Sequence, residues 1–93
     1  MHFAIHALDR PDSGDTRALA RDRHLEYISE FEILLGGPLL DESGAMCGSL
    51  IVVDLPDKAA AEALVADDPY TTAALFEHVS ITGFRAVLGH QAP

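Results

Sequence analysis

The chain has 93 residues, 6 of them Lys or Arg and 15 Asp or Glu, for a formal net charge of −9 with His neutral. With 48% hydrophobic and 23% charged residues it is a folding sequence, long enough for one domain over 1–93 and too short for two. Binding to phosphates runs on clustered Lys and Arg, so the scattered basic residues here exclude nucleic acid and anionic membranes as partners.

The opening Met1-His2-Phe3-Ala4-Ile5-His6 has no basic flank and no long apolar run, and reads as a strand rather than a signal peptide. The loop Asp9 to Gly14 closes it. From about Asp15 to Glu32 there is no Gly or Pro, and Ala20, Tyr27, Ile28 and Phe31 fall on one face at helical spacing, which predicts a first helix. Ile33 to Leu40 carries Gly36, Gly37 and Pro38 inside apolar sequence, the pattern of a kinked or bulged edge strand.

After the turn Asp41 to Gly44, Ser49 to Leu55 is a β-branched run without polar alternation, a strand covered on both faces. Asp57 N-caps a second helix running to about Ala66, and Pro69 stops its continuation past Asp68. Tyr70 to Phe76 has room for a further helical turn. A last strand is expected from about Val79 to Leu88, followed by a frayed tail from Gly89 to Pro93. No stretch approaches the roughly 20 apolar residues of a membrane-spanning helix. The single cysteine, Cys47, cannot form an internal disulfide, which points to the cytoplasm, and it reads as a small strand residue rather than a catalytic thiol.

The order strand, helix, strand, strand, helix, strand predicts an α+β fold, the ferredoxin-like βαββαβ plait, with a four-stranded antiparallel sheet and both helices on one face. A chain this small buries only roughly 60 to 65% of the surface that its unfolded form exposes. Because the strands look apolar on both faces, a second copy with its sheet facing the first is expected, a homodimer.

His24 sits at the centre of the helical stripe and so points toward the sheet. A buried imidazole needs partners: a carboxylate on one nitrogen would fix the tautomer and leave the other for proton transfer, while a core histidine bonded to a backbone carbonyl is the competing reading. Asp68 is the candidate carboxylate, since Pro69 forces it out of helical geometry where the second helix ends; a solvated turn residue is its alternative. The other histidines offer less. His2 and His6 share a strand face but stand about 13 Å apart at ~3.3 Å per residue, too far to hold one metal together, and His78 and His90 read as solvated. No metal site and no cofactor is expected. Gly36-Gly37-Pro38 lacks the lysine of a phosphate loop, although a backbone without Cβ lets a ligand approach closely. Ser49 is not presented by a G-x-S-x-G turn, so nothing marks it as a nucleophile.

Taken in order, Arg21-Asp22-Arg23-His24, Gly36-Gly37-Pro38, Gly48-Ser49, Asp67-Asp68-Pro69-Tyr70 and Glu77-His78-Val79-Ser80-Ile81 with Phe84 resemble the YciI-like family, the YCII-related domain, over nearly the whole chain. The resemblance implies a dimeric α+β barrel of ferredoxin-like subunits and an active site with a His and Asp dyad, here His24 and Asp68. Enzymes of that barrel superfamily, muconolactone isomerase and a chlorinated hydroxyhydroquinone dehydrochlorinase among them, move protons or eliminate halide without a cofactor. The function expected is cofactor-free general acid/base proton transfer, an isomerisation or elimination, on a small cyclic or aromatic compound. His24 and Asp68 are its catalytic candidates, and Gly37, Pro38, Ser49 and Tyr70 its substrate-binding candidates. The alternative is a non-catalytic small-ligand-binding or interaction module with a structural His–Asp pair.

Overall fold

The structure, a computed structural model, describes residues 1–89; His90 and the rest of the expected tail lie outside the described residues. The chain runs β1 (His2–Asp9), α1 (Thr16–Ile28), β2 (Glu32–Leu40), β3 (Met46–Asp54), α2 (Lys58–Asp67), α3 (Pro69–Thr72) and β4 (Phe76–Phe84). The strands form one sheet in the order β2-β3-β1-β4, every neighbouring pair antiparallel, which is the expected plait with a short extra helix before the last strand.

Strand alternation sets the core. Phe3, Ile5 and Ala7 of β1 are buried, as is Val53 opposite Phe3, and Ala61 and Leu64 of α2 close over them. Tyr27, Ile28 and Phe31 pack against the same cluster. Deep burial of such side chains contributes roughly 1.5–3 kcal/mol each to holding the helical layer on the sheet.

Three boundaries differ from the sequence expectation. The first helix ends at Ile28 rather than Glu32, because Ser29 Oγ donates to Glu26 O at 2.6 Å and the amides of Glu30 and Phe31 bond back three residues, tightening the chain into a turn. Phe31 therefore reaches the core from outside the helix. The third strand starts at Met46, three residues before Ser49, since Gly48 and Met46 already pair with β2. The last strand spans Phe76–Phe84 instead of Val79 to Leu88; Ala74, at φ 58°, turns the chain out of α3, and Phe76 pairs with Asp9.

The edge strand β2 is bulged, as its Gly-Gly-Pro segment implies. Ile33 pairs with Val53 and Leu35 with Val52, so Leu34 is an extra, unpaired residue. Beyond it Gly36 faces Ile51 and Pro38 faces Ser49, on the side covered by the helices. The opposite side of the sheet bears Ala4, Val52 and Leu35 in one cross-strand row and Leu8, Gly48 and Leu39 in another.

Candidate functional site

α1 carries Ala20 and His24 as its buried residues, so the imidazole is turned inward, 8% exposed. The second partner comes from a helix junction. Asp68 ends α2 in an extended conformation (φ −63°, ψ 130°), the geometry that a following proline imposes, and starts α3 as its N-cap, with Oδ1 accepting from the amide of Tyr70 at 2.9 Å. The same Oδ1 lies 2.8 Å from His24 Nδ1, and Asp68 is 6% exposed. The two groups thus form a buried pair, not a histidine on a backbone carbonyl and a solvated aspartate. With Nδ1 donating to the carboxylate, Nε2 is the nitrogen free to exchange a proton. It makes no hydrogen bond among the described residues and is not sealed from solvent.

Tyr70 fixes the imidazole from the side. Its ring stacks on His24 with centroids 3.9 Å apart and planes 11° apart, and Phe76 meets Tyr70 edge-on at 5.9 Å. On Tyr70 rests the Arg17 guanidinium, 4.8 Å from the ring centroid. Arg17 is itself clamped by Asp9 through a two-point contact, Nε to Oδ2 at 2.9 Å and Nη2 to Oδ1 at 2.7 Å. Burial works against the Arg17 charge, but the Asp9 carboxylate and Tyr70 together outweigh it and hold the guanidinium above its ordinary pKa. Burial pushes the Tyr70 hydroxyl up, against the pull of the Arg17 and Arg21 charges.

His24 and Tyr70 line a pocket of about 200 Å³ between α1 and the β2–β3 edge. Gly37, Pro38 and Ser49 line it too, so these sequence candidates converge on one cavity. Asp68 stands behind, on a second, smaller void of about 20 Å³ that Ser49 and His24 also border. No hydrogen bond joins Ser49 to His24 among the described residues. The walls are largely apolar, with Leu25, Ile28, Ile33, Met46 and Ile51. Two lining residues, Arg17 and Arg21, escaped the sequence reading as site residues. The signal was present: positions 17, 21 and 24 fall on one helical face. His2, His6 and His78 do not line the pocket, and neither does Cys47, which is half-buried in β3.

Residues 1–85 match the family model described as the YCII-related domain. The chain belongs to that family. It is 32% identical to Protein YciI of Escherichia coli O6:H1 over 97 aligned residues, covering 94% of this chain and 99% of the relative. Among solved structures, this YCII-related domain superposes on 5-chloro-2-hydroxyhydroquinone dehydrochlorinase (TftG) from Burkholderia phenoliruptrix AC1100, in complex with 2,5-dihydroxybenzoquinone, with a TM-score of 0.86, 27% identity and 100% of both chains covered. An antibiotic biosynthesis monooxygenase shares the fold at a TM-score of 0.54 and 18% identity, with 95% of this chain and 100% of that one covered.

Proposed function

We propose that this protein is a cofactor-free acid/base catalyst acting on a small hydroxylated ring, with His24 as the proton acceptor and donor and Asp68 as the group that orients it. The observation that carries this reading is the environment of one imidazole: Nδ1 engaged by a buried carboxylate, Nε2 without a hydrogen-bond partner among the described residues, and the ring on the wall of an apolar pocket. Asp68 holds the ring in one tautomer and balances the charge when Nε2 takes a proton. The reaction class follows from what one such base can do. Removing a proton from a ring hydroxyl or an adjacent carbon leaves an electron pair on the substrate, which either shifts a double bond or expels a leaving group such as halide. Positioned general base catalysis contributes typically ~10²- to 10⁴-fold, enough for an easy proton transfer.

Size and likeness favour a single ring. At about 200 Å³ the pocket falls below the range of about 300 Å³ upward that drug-sized ligands occupy. TftG, the structural neighbour, is a dehydrochlorinase of a chlorinated hydroxyhydroquinone and binds a dihydroxybenzoquinone, which supports hydroxylated or halogenated quinols as the substrate class here. Gly37, Pro38, Ser49 and Tyr70 are the proposed contacts to that ring. The reading includes a homodimer: the sheet face that bears the rows Ala4-Val52-Leu35 and Leu8-Gly48-Leu39, with Leu8 and Leu35 exposed on it, is suited to the sheet of a second copy. Light scattering that returned a monomer at micromolar concentration would remove the dimer from it.

The test is turnover of a panel of halogenated hydroquinones and lactones by the wild type and by His24→Gln, with ligand binding measured in parallel. Wild-type turnover that His24→Gln abolishes while binding persists is the expected result. Turnover that survives His24→Gln, or none by the wild type on a ring that it binds, would make this a binding module instead.

A further inference from the structure

The chain keeps its acidic residues off most of one surface. It carries 15 Asp and Glu against 6 Lys and Arg, yet on the sheet face turned away from the helices strand register places only Glu32 and Asp54, opposite one another in the row of His2 at one end. Asp54 is engaged there, 2.9 Å from the Met1 amine and 3.9 Å from His2 Nε2. Near the middle of the face stands His6, half-buried, with Leu50 of β3 on one side and Ser80 of β4 on the other. At ~3.3 Å per residue along the strands, the row of Glu32 and Asp54 is about 13 Å away from it. The nearer titratable group on this face is His78, which pairs with Leu8 and so sits diagonal to His6, at about 7–8 Å; Glu77 beside it is passed over by the ladder where the register shifts. His6 itself enters no ion pair among the described residues.

We propose that this face is a proton-sensitive contact between two copies of the chain, with His6 as the group that senses pH. The proposal rests on the homodimer reading and adds its regulation. Two chains of net charge −9 repel each other least where carboxylates are scarce, and this face, with the aliphatic Leu8 and Leu35 exposed on it, is such a place. An isologous contact brings the same patch from both copies together, so each dimer encloses two His6 rings. Neutral imidazoles enter such a contact at little cost. Charged ones lose their hydration, and since both copies hold their face carboxylates in the end row, the middle of the contact offers no counter-charge. Histidines charge between about pH 8 and pH 5. Because the contact disfavours the charged form, association is at full strength above the pKa of a free imidazole and weakens as pH falls below it, by up to about a hundredfold per pH unit for two rings. Acid also eases the overall repulsion between the chains, but that opposing effect is screened beyond about 8 Å at physiological salt.

The experiment is sedimentation equilibrium of the full chain at about pH 7.5 and about pH 5.5 in about 0.15 M salt, with circular dichroism to follow the fold. The wild type is expected to be a dimer at the higher pH and to have a dissociation constant at least about tenfold larger at the lower, with its ellipticity unchanged. His6→Leu and His6→Gln are expected to remain dimers of nearly constant strength across the same interval. A wild-type constant that does not move with pH keeps the dimer and overturns the switch. A monomer at both values removes the dimer reading and this inference with it. Equal weakening in the wild type and both variants assigns the effect to another group and overturns the role of His6. Loss of ellipticity at the lower pH means unfolding in place of dissociation, and overturns it as well.

Discussion

The ring of Tyr70 lies flat on the imidazole of His24, 3.9 Å between centroids, while the backbone amide of the same tyrosine donates to the carboxylate that His24 also engages. One residue thus touches the pair twice, through its side chain on one member and its main chain on the other. Asp68 is the hinge of this arrangement. It caps the helix that carries Tyr70 and accepts from His24 with a single oxygen, so folding of the α2–α3 junction and alignment of the imidazole are one event.

Asp68→Asn tests the charge apart from the cap. Asn caps a helix as well as Asp, so the variant keeps its fold, with a urea midpoint close to wild type, while turnover falls by about 10²-fold or more because the imidazolium loses its counter-charge. Asp68→Ala removes the cap and strands the buried Nδ1, at a cost of about 2 to 4 kcal/mol in the same urea titration. Equal stability of the two variants would show that the carboxylate plays no part in the junction.

Tyr70→Leu removes the wall against which the imidazole rests. The expected loss is about 1 to 3 kcal/mol of stability, together with a downfield move of the His24 ring-proton resonances as the shielding of the stacked phenol disappears. Tyr70→Phe keeps the stack and leaves those resonances nearly in place. Identical spectra for Tyr70→Leu and the wild type would mean that the stack is absent in solution.

Tyr27 sets an alkaline limit. Its hydroxyl donates to the carbonyl of Leu64 at 2.8 Å, and burial, followed by the charges of Asp67, Asp68 and Glu30, holds its pKa above the ordinary tyrosine value. A folded pKa above the unfolded one, about 10, means that the contribution is complete below that pH and is lost as pH rises through the folded value. Thermal melts between about pH 8 and pH 12 should show a falling Tm at the upper end, with a shallower fall in Tyr27→Phe. At neutral pH that variant loses about 1 kcal/mol with its hydrogen bond. Parallel alkaline limbs would refute the assignment.

Gly48 marks where two strands come closest to a clash. A Cβ there would collide with the carbonyl oxygen of Ala7, a backbone atom of the central strand β1 that has nowhere to move. Gly48→Ala is expected to destabilise by about 1–3 kcal/mol in urea titration. Gly37→Ala, where nothing lies within 4 Å of the added carbon, should leave the urea midpoint almost unchanged.

Much of the fold was legible because its signals are local. The inward aim of His24 followed from the stripe it shares with Ala20 and Ile28, and the freedom of Asp68 to turn inward followed from Pro69. The misplaced boundaries lack such signals. No Gly or Pro announces the end of α1, since a serine hydroxyl and tight backbone turns do that work, and an alanine rather than a glycine takes the left-handed position before β4. Arg17 and Arg21 were legible in position only, because it is the fold that brings them to the pocket wall.

The unpaired Leu34 works like a frameshift in a reading frame. Were Leu34 paired in a regular ladder from Ile33 onward, Leu35 would fall inward opposite Ile51 and Gly36 outward opposite Leu50, so the aliphatic side chain would occupy the cavity that the glycine now leaves open. The room for a ligand is thus written in the parity of one edge strand, where a bulge absorbs the residue that would otherwise set an aliphatic side chain in the glycine's place.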